Sequence, residues 1–477
     1  MRERSVVIVG AGFSGTALAM NLLRRARHPL RIVLIDRSQM ARGLAYARRP
    51  YPYLLNVPAA RMSADPAEPA GFLRFAQRRL PHARAADFLP RELYGEYLAS
   101  LLTDAEGGAA HGVQLERRYG TVIAVERPVR GARLQVHLAD GRIFAADAAV
   151  LALGNPAPGT LPGGAALRGS SRYHADPWHE PPQARNGESV LVVGSGLTMA
   201  DVVLSGAATA ENIRWHALSR RGLIPPPQSG FAPGEHAQEG AALAAAASVS
   251  MRALMRTTRE LAREVEARGG DWREAIAAVR VQAPQLWQRL ALRERRRFLR
   301  HVRPYWDVHR HRLPEGSWAA LHELRSRGAL QLHAGRLLQL ERAGRQIRAL
   351  YRPRGRAAPA TLLVDRVINC TGPDYDLRRT EERLLRSLLS QGTACADPLG
   401  LGLTTDGQGA LIGRDGRRVA GLFCLGPMLR AMHWESTAVT ELREYAARLA
   451  ELLLSAADVR PTRSAATAAA QAVHAPL

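Results

Sequence analysis

The sequence predicts an α/β protein that combines two Rossmann-like dinucleotide-binding domains with a helical insert. Three observations support this fold class in the 477 residues. A glycine-rich turn follows a short apolar strand at each of two places, near residues 10 and 194. Residues 240–312 carry apolar residues at helical spacing in a segment crowded with Arg and Ala. Apolar strands return after this segment, so the first domain is expected to be split in sequence by the second.

The first unit begins with the apolar strand SVVIV, which leads into Gly10, Gly12 and Gly15 and then into the helical segment TALAMNLLRRA. Gly10 allows the tight turn, Gly12 lets a pyrophosphate approach the backbone, and Gly15 lets helix and strand pack closely. The helix start offers N–H groups and a positive dipole end to phosphates. Asp36 ends the next strand, RIVLID, where a carboxylate accepts hydrogen bonds from a ribose diol and disfavours a 2′-phosphate. These features predict that FAD or NAD binds here.

The second unit follows the strand SVLVV within ESVLVVGSGLTMADVV, residues 188–203. Met199 stands where the third glycine of the pattern is expected. The next strand, IRWHAL, leads into a hydroxyl and two arginines and brings no acid. Arginine at this strand end suits a 2′-phosphate through bidentate charge-assisted bonds, which favours NADPH over NADH. The alternative is that these arginines are solvated surface charges. The candidate residues are Gly194, Ser195, Gly196, Thr198, Ser219, Arg220 and Arg221.

The composition excludes several classes of chemistry. All 66 cationic side chains counted as Lys+Arg are arginine, which removes Schiff-base, pyridoxal-phosphate and P-loop chemistry that need lysine. The formal charge of +23 indicates an acidic partner, such as nucleic acid, an anionic membrane or phosphate-rich cofactors, although a GC-rich genome also enriches Arg and Ala. The three cysteines form no CxxC pair and no metal spacing. No membrane span, signal peptide or bound metal is expected, and the cytoplasm is the expected location.

The most basic segment, residues 291–312, interleaves arginines with Tyr305 and Trp306, a pattern typical of nucleic-acid binding. Pro304 interrupts it, however, and its apolar residues recur as a packed helix requires. We therefore expect no nucleic-acid partner, and a role near NADPH or an anionic substrate is the better interpretation of this segment.

Two strand ends, LALG at 151–154 and INCTG at 368–372, resemble those of flavoproteins with two dinucleotide-binding domains, which include flavin-containing and N-hydroxylating monooxygenases. Four longer strings are similar to a bacterial family of FAD/NAD(P)-binding proteins, and the resemblance extends over about residues 3–452. The strings are GLAYARRPYPYLLNVPAARMSADP, FLPRELYGEYL, RPYWDVHRHR and LGPMLRAMHWESTAVTELR.

The resemblance implies which cofactor each domain holds. FAD would occupy a domain formed by residues 1–165 and 346–455, and NADPH a domain at 166–345 with the helical insert at 231–312; residues 456–477 are expected to be a disordered tail. Arg61 and Met62 would lie in a loop near the isoalloxazine, where Asn56 is the candidate catalytic residue as a hydrogen-bond partner of the flavin edge. The remaining flavin contacts implied by the resemblance are Gly426, Pro427 and Thr437, the last at the start of a helix.

The function implied is that of an FAD-dependent oxidoreductase that uses NADPH. A flavin monooxygenase that N- or C-hydroxylates a small, amino-acid-like substrate with O2 is the first hypothesis. An NADPH-dependent flavin reductase or dehydrogenase with a non-oxygen acceptor is the second, and a non-catalytic flavin-binding redox sensor is the third. A homodimer is a further expectation.

Overall fold

A computed structural model describes residues 4–129, 131–228 and 240–455 of the chain. The chain divides into two compact units, each described by itself below. The first unit comprises Met1–Arg49, Pro58–Asn155 and Tyr375–Leu477, and the second comprises Pro50–Val57 and Pro156–Asp374. The predicted tail at 456–477 and the start of the predicted insert, 231–239, lie outside the described residues.

The N-terminal part of the first unit alternates strands with helices. Its elements are β1 (Arg4–Val9), α1 (Phe13–Arg25), β2 (Leu30–Asp36), α2 (Gly71–Arg79), α3 (Arg91–Gly107), β3 (Val113–Tyr119), β4 (Val122–Glu126), β5 (Leu134–Leu138), β6 (Ile143–Ala146) and β7 (Ala148–Leu151).

The second unit contains the helical insert between two groups of strands. Its elements are β8 (Tyr173–His174), β9 (Ser189–Val193), α4 (Leu197–Thr209), β10 (Arg214–Ser219), α5 (Gly240–Val249), α6 (Met251–Ala267), α7 (Arg273–Arg289), α8 (Leu292–Arg297), α9 (Arg303–Arg310), α10 (Glu315–Ser326), β11 (Leu330–Ala343), β12 (Gln346–Pro353), β13 (Ala360–Val364) and β14 (Arg366–Asn369). A π-helical turn, Phe298–Val302, joins α8 to α9.

The chain then returns to the first unit with α11 (Arg383–Gln391), β15 (Ala410–Ile412), β16 (Arg418–Cys424) and α12 (Val439–Ser455). The main sheet of this unit has the order β15-β16-β7-β1-β2-β3, in which only β15 is antiparallel to its neighbour. The strand segments Val6–Val9, Ile32–Ile35 and Ala148–Leu151 are apolar and buried, which is typical of a parallel sheet covered on both faces. Helix α1 packs against α3 and α12. Strands β4, β5 and β6 form a separate antiparallel sheet.

The sheet of the second unit has the order β13-β12-β11-β10-β9-β14-β8. Strands β8, β14, β9, β10 and β11 run parallel, and β12 and β13 extend the sheet as an antiparallel ribbon. A core of buried residues, among them Val190, Val192, Met199 and Trp215, lies where α4 and α10 cover the parallel strands. The prediction of two Rossmann-like units, the first split in sequence, is confirmed.

The division of the chain differs from the predicted boundaries at three places, because residues 50–57, 156–165 and 346–374 all belong to the second unit. Residues 346–374 belong to the second unit, because β14 pairs in parallel with β9 and is buried along its whole length. Residues 50–57 also belong to it, where the Tyr53 ring packs edge-on against Trp178 at 5.5 Å and its hydroxyl donates to Ser205 Oγ at 3.2 Å. A local sequence pattern does not indicate which sheet a strand joins or which unit a loop packs against, so neither assignment could be made from the sequence. No helix in the described residues is long and apolar enough to cross a membrane.

Candidate dinucleotide-binding sites

The first and third glycines of the N-terminal turn are required by the fold. Gly10 has φ +105°, and a Cβ there would lie 2.2 Å from the carbonyl oxygen of Ala152. Its N–H donates to the Ile35 carbonyl at 2.7 Å, which joins the turn between β1 and α1 to the end of β2. A Cβ on Gly15 would lie 1.9 Å from the carbonyl oxygen of Gly10. The predicted roles of a tight turn and of close helix–strand packing both match this geometry.

Gly12 differs because its missing side chain leaves open space. Apart from its neighbours in the chain, the described residues place one atom within 4 Å of a Cβ at this position, the Gly43 Cα at 3.8 Å. Gly12 is extended and precedes the first residue of α1, whose first N–H groups are the kind that bind phosphate. Gly43 has φ +54°, and a Cβ on it would lie 2.8 Å from the Gly12 Cα. Gly43 was not predicted as a site residue, and the one sequence feature that marks it is its place at the start of the string GLAYARR.

Asp36 is fixed beside this turn at the end of β2. One carboxylate oxygen accepts the Ala11 N–H at 2.7 Å, and the other accepts the Ser38 N–H at 2.9 Å. The side chain is half-buried. A carboxylate oxygen accepts more than one hydrogen bond, so this geometry leaves capacity for a ribose diol.

The C-terminal segment of the first unit returns to the same turn. Gly426 has φ +107°, and a Cβ on it would lie 3.0 Å from the Ser14 hydroxyl in the first turn of α1. Gly426 therefore lies next to the glycine turn, and the flavin contacts implied for Gly426 and Pro427 stay predictions. Thr437 does not begin the following helix, because α12 starts at Val439.

The loop that carries Arg61 and Met62 is anchored within the first unit. Arg61 ends a short 3-10 turn and is exposed, whereas Met62 is buried. The next residue, Ser63, is fully buried and its hydroxyl lies 3.2 Å from the Tyr97 hydroxyl on α3. Its carbonyl accepts a hydrogen bond from Arg443 on α12 at 3.0 Å. Two helices thus fix the position of this loop.

Asn56 is placed differently from the other loop residues. It lies in the segment Pro50–Val57, which belongs to the second unit, whereas Arg61 and Met62 belong to the first. Its side chain is half-buried. The catalytic role of Asn56 therefore stays a prediction.

Two buried hydroxyl groups in the first unit were not predicted. Tyr94 and Ser436 are both fully buried, and among the described residues their side-chain oxygens have no hydrogen-bond partner. The Tyr94 ring packs on Tyr46 at 4.7 Å and on Phe13, the first residue of α1, at 6.3 Å. Burial raises the pKa of Tyr94 well above its usual value, so the phenol stays a donor. A buried polar atom left without a partner is costly, and a flavin would supply one.

The turn of the second unit repeats the geometry of the first. Gly194 has φ +113°, and a Cβ there would lie 2.2 Å from the carbonyl oxygen of Cys370. Its N–H donates to the Leu218 carbonyl at 2.8 Å. Gly196 is extended and precedes α4, and apart from its chain neighbours none of the described residues comes within 4 Å of where its Cβ would be. The predicted strand ends LALG and INCTG are therefore equivalent, because each provides the backbone carbonyl that lies against the first glycine of its own unit.

The third position of this motif is filled by packing. Met199 is fully buried in the core beneath α4, so this helix accommodates a large side chain where α1 needs Gly15. Thr198 lies one residue before it in the first turn of α4 and is half-buried. A methionine in place of the third glycine thus changes the helix–strand packing, and Gly196 still precedes α4 as Gly12 precedes α1.

The strand ends of the two units carry different chemistry. Ile35 pairs with Val9 in the first unit, and Leu218 pairs with Val193 in the second, so Ser219 occupies the position of Asp36. The Ser219 hydroxyl accepts from the Ser195 hydroxyl at 2.8 Å and from the Gly222 N–H at 3.0 Å. This position therefore has no carboxylate that would repel a 2′-phosphate.

The two arginines after Ser219 have unequal surroundings. Arg221 lies over the Tyr305 ring at 4.9 Å and donates to its hydroxyl at 3.2 Å, and it also donates to the His301 carbonyl at 3.4 Å. Arg220 is exposed, and its guanidinium takes part in none of the hydrogen bonds or ion pairs of the described residues. Arg220 is thus the cation available to a ligand.

Comparison with known proteins agrees with the geometry of the first turn. Residues 7–156 match the family model described as FAD-NAD(P)-binding. This stretch of the chain is therefore similar to FAD-NAD(P)-binding domains. The match covers the glycine turn, Asp36 and the strand end beside Gly10, and it confirms the predicted cofactor class. No curated protein matches the sequence.

Solved structures share the fold of this chain over nearly its full length. L-Lysine 6-monooxygenase from Pseudomonas syringae has a TM-score of 0.61 at 17% identity, with 95% of this chain and 99% of that chain covered. Ornithine hydroxylase from Pseudomonas aeruginosa has a TM-score of 0.60 at 14% identity and the same coverage. The FAD-bound cadaverine monooxygenase from Erwinia amylovora has a TM-score of 0.61 at 13% identity, with 97% of each chain covered. The fold is therefore that of two-domain flavoenzymes.

The cysteines of the chain are not arranged for dithiol chemistry. Cys370 and Cys424 are buried, which raises the pKa of both thiols, that of Cys424 to about 12. Cys395 is free as well, and burial raises the pKa of its thiol. Thiols of raised pKa are poor nucleophiles at neutral pH. Across the part of the chain that the structure describes, no three His, Cys, Asp or Glu residues could hold a metal ion.

Proposed function

We propose that this protein is an FAD-dependent oxidoreductase that uses NADPH, and that it is a monooxygenase that hydroxylates a small, amino-acid-like amine with O2. One observation carries the proposal. The same turn occurs in both units, but Asp36 ends the strand in the first, whereas Ser219 and Arg220 end it in the second. This difference suits an unphosphorylated adenosine ribose in one unit and a 2′-phosphate in the other.

The first unit would hold FAD. Gly12 and the start of α1 would receive its pyrophosphate, and Asp36 its adenosine ribose. Gly426 and Pro427, beside the first turn of α1, would contact the flavin part of the molecule. When bound, FAD accepts a hydride from reduced nicotinamide and passes electrons to O2. The buried hydroxyls of Tyr94 and Ser436 would be oriented toward polar atoms of this cofactor.

The second unit would hold NADPH. Gly196 and the start of α4 would receive the pyrophosphate, with Ser195 and Thr198 beside it. Arg220 would pair with the 2′-phosphate through its planar guanidinium. Arg221 would act indirectly, because its contacts to Tyr305 fasten the strand end to the helical insert. This assignment refines the sequence-based one, which treated both arginines alike.

Four further residues would lie at or near the flavin ring. Arg61 and Met62 would lie along it, and Asn56 would donate a hydrogen bond to its edge. Thr437 precedes α12, whose positive dipole end favours negative charge on a reduced ring. These roles, a homodimer and a cytoplasmic location stay predictions.

One observation supports an amine nitrogen as the site of oxygenation, and a second argues against a thiol relay of electrons. The neighbours named above act on lysine, ornithine and cadaverine, which share an aliphatic primary amine. The buried thiols of Cys370 and Cys424 disfavour a dithiol that relays electrons to another protein. An NADPH-dependent reductase with a quinone acceptor is the alternative that the test has to separate.

The test has two stages on the purified, FAD-loaded protein. NADPH added without oxygen is expected to bleach the flavin band near 450 nm, and no bleaching would contradict both enzyme hypotheses. With oxygen, a panel of L-lysine, L-ornithine, short diamines and further amino acids is then screened by mass spectrometry for a product 16 Da heavier. Hydroxylated product in proportion to NADPH consumed supports the monooxygenase. Hydrogen peroxide alone across the panel, together with rapid quinone reduction, would replace it by the reductase.

A further inference from the structure

The helical insert of the second unit contains a groove that the proposed cofactors do not explain. It encloses about 970 Å³, near the upper end of the range typical of small-molecule sites. Its walls come from α6, α8 and the π-helical turn, together with the residue before α6. The lining residues are Ser250, Met251, Arg252, Met255, Arg256, Arg259, Glu260, Arg263, Glu294, Arg297, His301 and Val302.

One wall of this groove is a row of arginines on α6. Arg252, Arg256, Arg259 and Arg263 follow one another at intervals of four, three and four residues, which places them on one face of the helix. All four are exposed. At 1.5 Å per residue the row extends over roughly 16 Å, with neighbouring positions about 5–6 Å apart.

These arginines are not balanced by the protein itself. None of the ion pairs and hydrogen bonds of the described residues involves the four guanidinium groups, although Glu260 lines the same groove. Like charges three or four residues apart on a helix are destabilising. An arginine-rich composition accounts for many exposed arginines, but it does not account for four in register on one cavity wall.

The opposite wall is held in place by a buried carboxylate. Glu294 on α8 is buried, accepts the Met251 N–H at 2.9 Å and pairs with Arg297 at 2.8 Å. The Met251 amide and the neighbouring arginines lower the pKa of Glu294, so it stays ionised. The start of α6 is thereby fastened to α8. The π-helical turn, a feature often found at functional sites, brings His301 and Val302 to the same groove.

We propose that this groove binds a small ligand that carries several phosphate groups. Five arginines face two glutamates here, and Glu294 is already paired with Arg297. The planar guanidinium matches phosphate in bidentate geometry. A row of cations at intervals of about one helical turn suits several linked anionic groups better than a single one. The phosphates belong either to a nucleoside polyphosphate or to inorganic polyphosphate.

This site is distinct from the proposed NADPH site. None of its lining residues comes from the turn Gly194–Gly196 or from the end of β10. The nearest link is Arg221, which donates to the His301 carbonyl and lies on Tyr305. Binding of an anion in the groove is therefore expected to require the arginines of α6 and not Gly196 or Arg220.

Calorimetric titration of the FAD-loaded full chain with tripolyphosphate, and separately with ATP, tests the proposal. The groove variant is Arg256→Gln with Arg259→Gln, and the matched control is Arg268→Gln with Arg296→Gln, which removes the same charge from exposed positions outside the groove. The groove variant is expected to bind roughly 100-fold more weakly, since each charge-assisted hydrogen bond corresponds to about a tenfold change or more. The control is expected to stay within about threefold of the wild type.

The comparison of ligands identifies the source of the phosphates. Equal affinity for tripolyphosphate and ATP supports recognition of the phosphate chain alone, and tighter binding of ATP supports a nucleoside ligand. Circular dichroism melting checks the fold, and the single variant Arg263→Gln repeats the test if the double variant melts early.

Four results would overturn the proposal. The first is that neither ligand binds at about 1 mM. The second is that the groove and control variants lose affinity equally. The third is that NADP⁺ displaces tripolyphosphate and that Arg220→Ala weakens the binding of tripolyphosphate. The fourth is a short single-stranded oligonucleotide that binds far more tightly than tripolyphosphate through the same arginines. Failure of NADPH to reduce the flavin would contradict the proposed function and leave the groove proposal intact.

Discussion

Two alanine substitutions in the glycine turn of the second unit distinguish the residues that the fold requires from the residues that the ligand requires. In Gly194→Ala, the new Cβ lies 2.2 Å from the Cys370 carbonyl oxygen at a residue with φ +113°. The left-handed conformation costs about 1–2 kcal/mol and the overpacking about 1–3 kcal/mol, so the free energy of unfolding should fall by roughly 2–5 kcal/mol. At about 2–4 °C per kcal/mol, the Tm falls by several degrees or more.

Gly196→Ala should behave in the opposite way. Gly196 is extended at φ −90°, and apart from its chain neighbours the described residues place no atom within 4 Å of its Cβ position. An alanine at the helix N-cap costs about 0.5–1 kcal/mol relative to glycine. The lower entropy of the unfolded chain offsets about 0.4–1 kcal/mol, so the net stability change stays within about 1 kcal/mol. The methyl group, however, occupies the space in which a pyrophosphate would approach the backbone.

The assay measures both consequences for each variant. Thermal unfolding gives the stability, and quenching of intrinsic fluorescence by NADP⁺ gives the Kd. Gly196→Ala is expected to raise the Kd at least about tenfold, or ~1.4 kcal/mol, with an unchanged Tm and unchanged FAD content. Wild-type affinity in Gly196→Ala, or a loss of Tm equal to that of Gly194→Ala, would refute the assignment of this turn to the nucleotide.

The remaining predictions concern the strand end, the loop and pH. Arg220→Ala should raise the KM for NADPH about tenfold or more and leave the KM for NADH unchanged. Arg221→Ala should change the ratio of these two KM values by less than about threefold. Equal effects of the two substitutions in steady-state kinetics would contradict the distinction. Gly43→Ala should lower the FAD content of the purified protein, because its Cβ would lie 2.8 Å from the Gly12 Cα, and full occupancy would contradict this. Burial lowers the pKa of His216 to about 4, below its unfolded value near 6.5, so the folded form binds fewer protons between these values. Stability should therefore fall as pH drops from about 6.5 towards 4, by at most ~1.4 kcal/mol per pH unit from this group, and chemical denaturation should show a shallower fall in His216→Asn.

Much of the cofactor assignment was predictable because its signals are local in sequence. A strand, a glycine turn and a helix start occupy about ten consecutive residues, and Asp36 or Ser219 follows at the next strand end. The contacts of Gly10 and Gly15 agree with the roles predicted for them. The start of α12 was placed two residues early, at Thr437, because no capping residue in the sequence marks Val439 as the first helical residue.

The sequence by itself determined the α/β class, the two dinucleotide turns and the chemistry at each strand end, since each depends on residues that are close along the chain. Only the tertiary structure decided which sheet β14 joins, that residues 50–57 pack with the second unit, and that Gly43 lies against Gly12. It also decided that Arg221 is held by Tyr305 while Arg220 is exposed, and that four arginines of α6 line one groove with α8. These features arise from contacts between residues distant in sequence, and local patterns carry no information about such pairs.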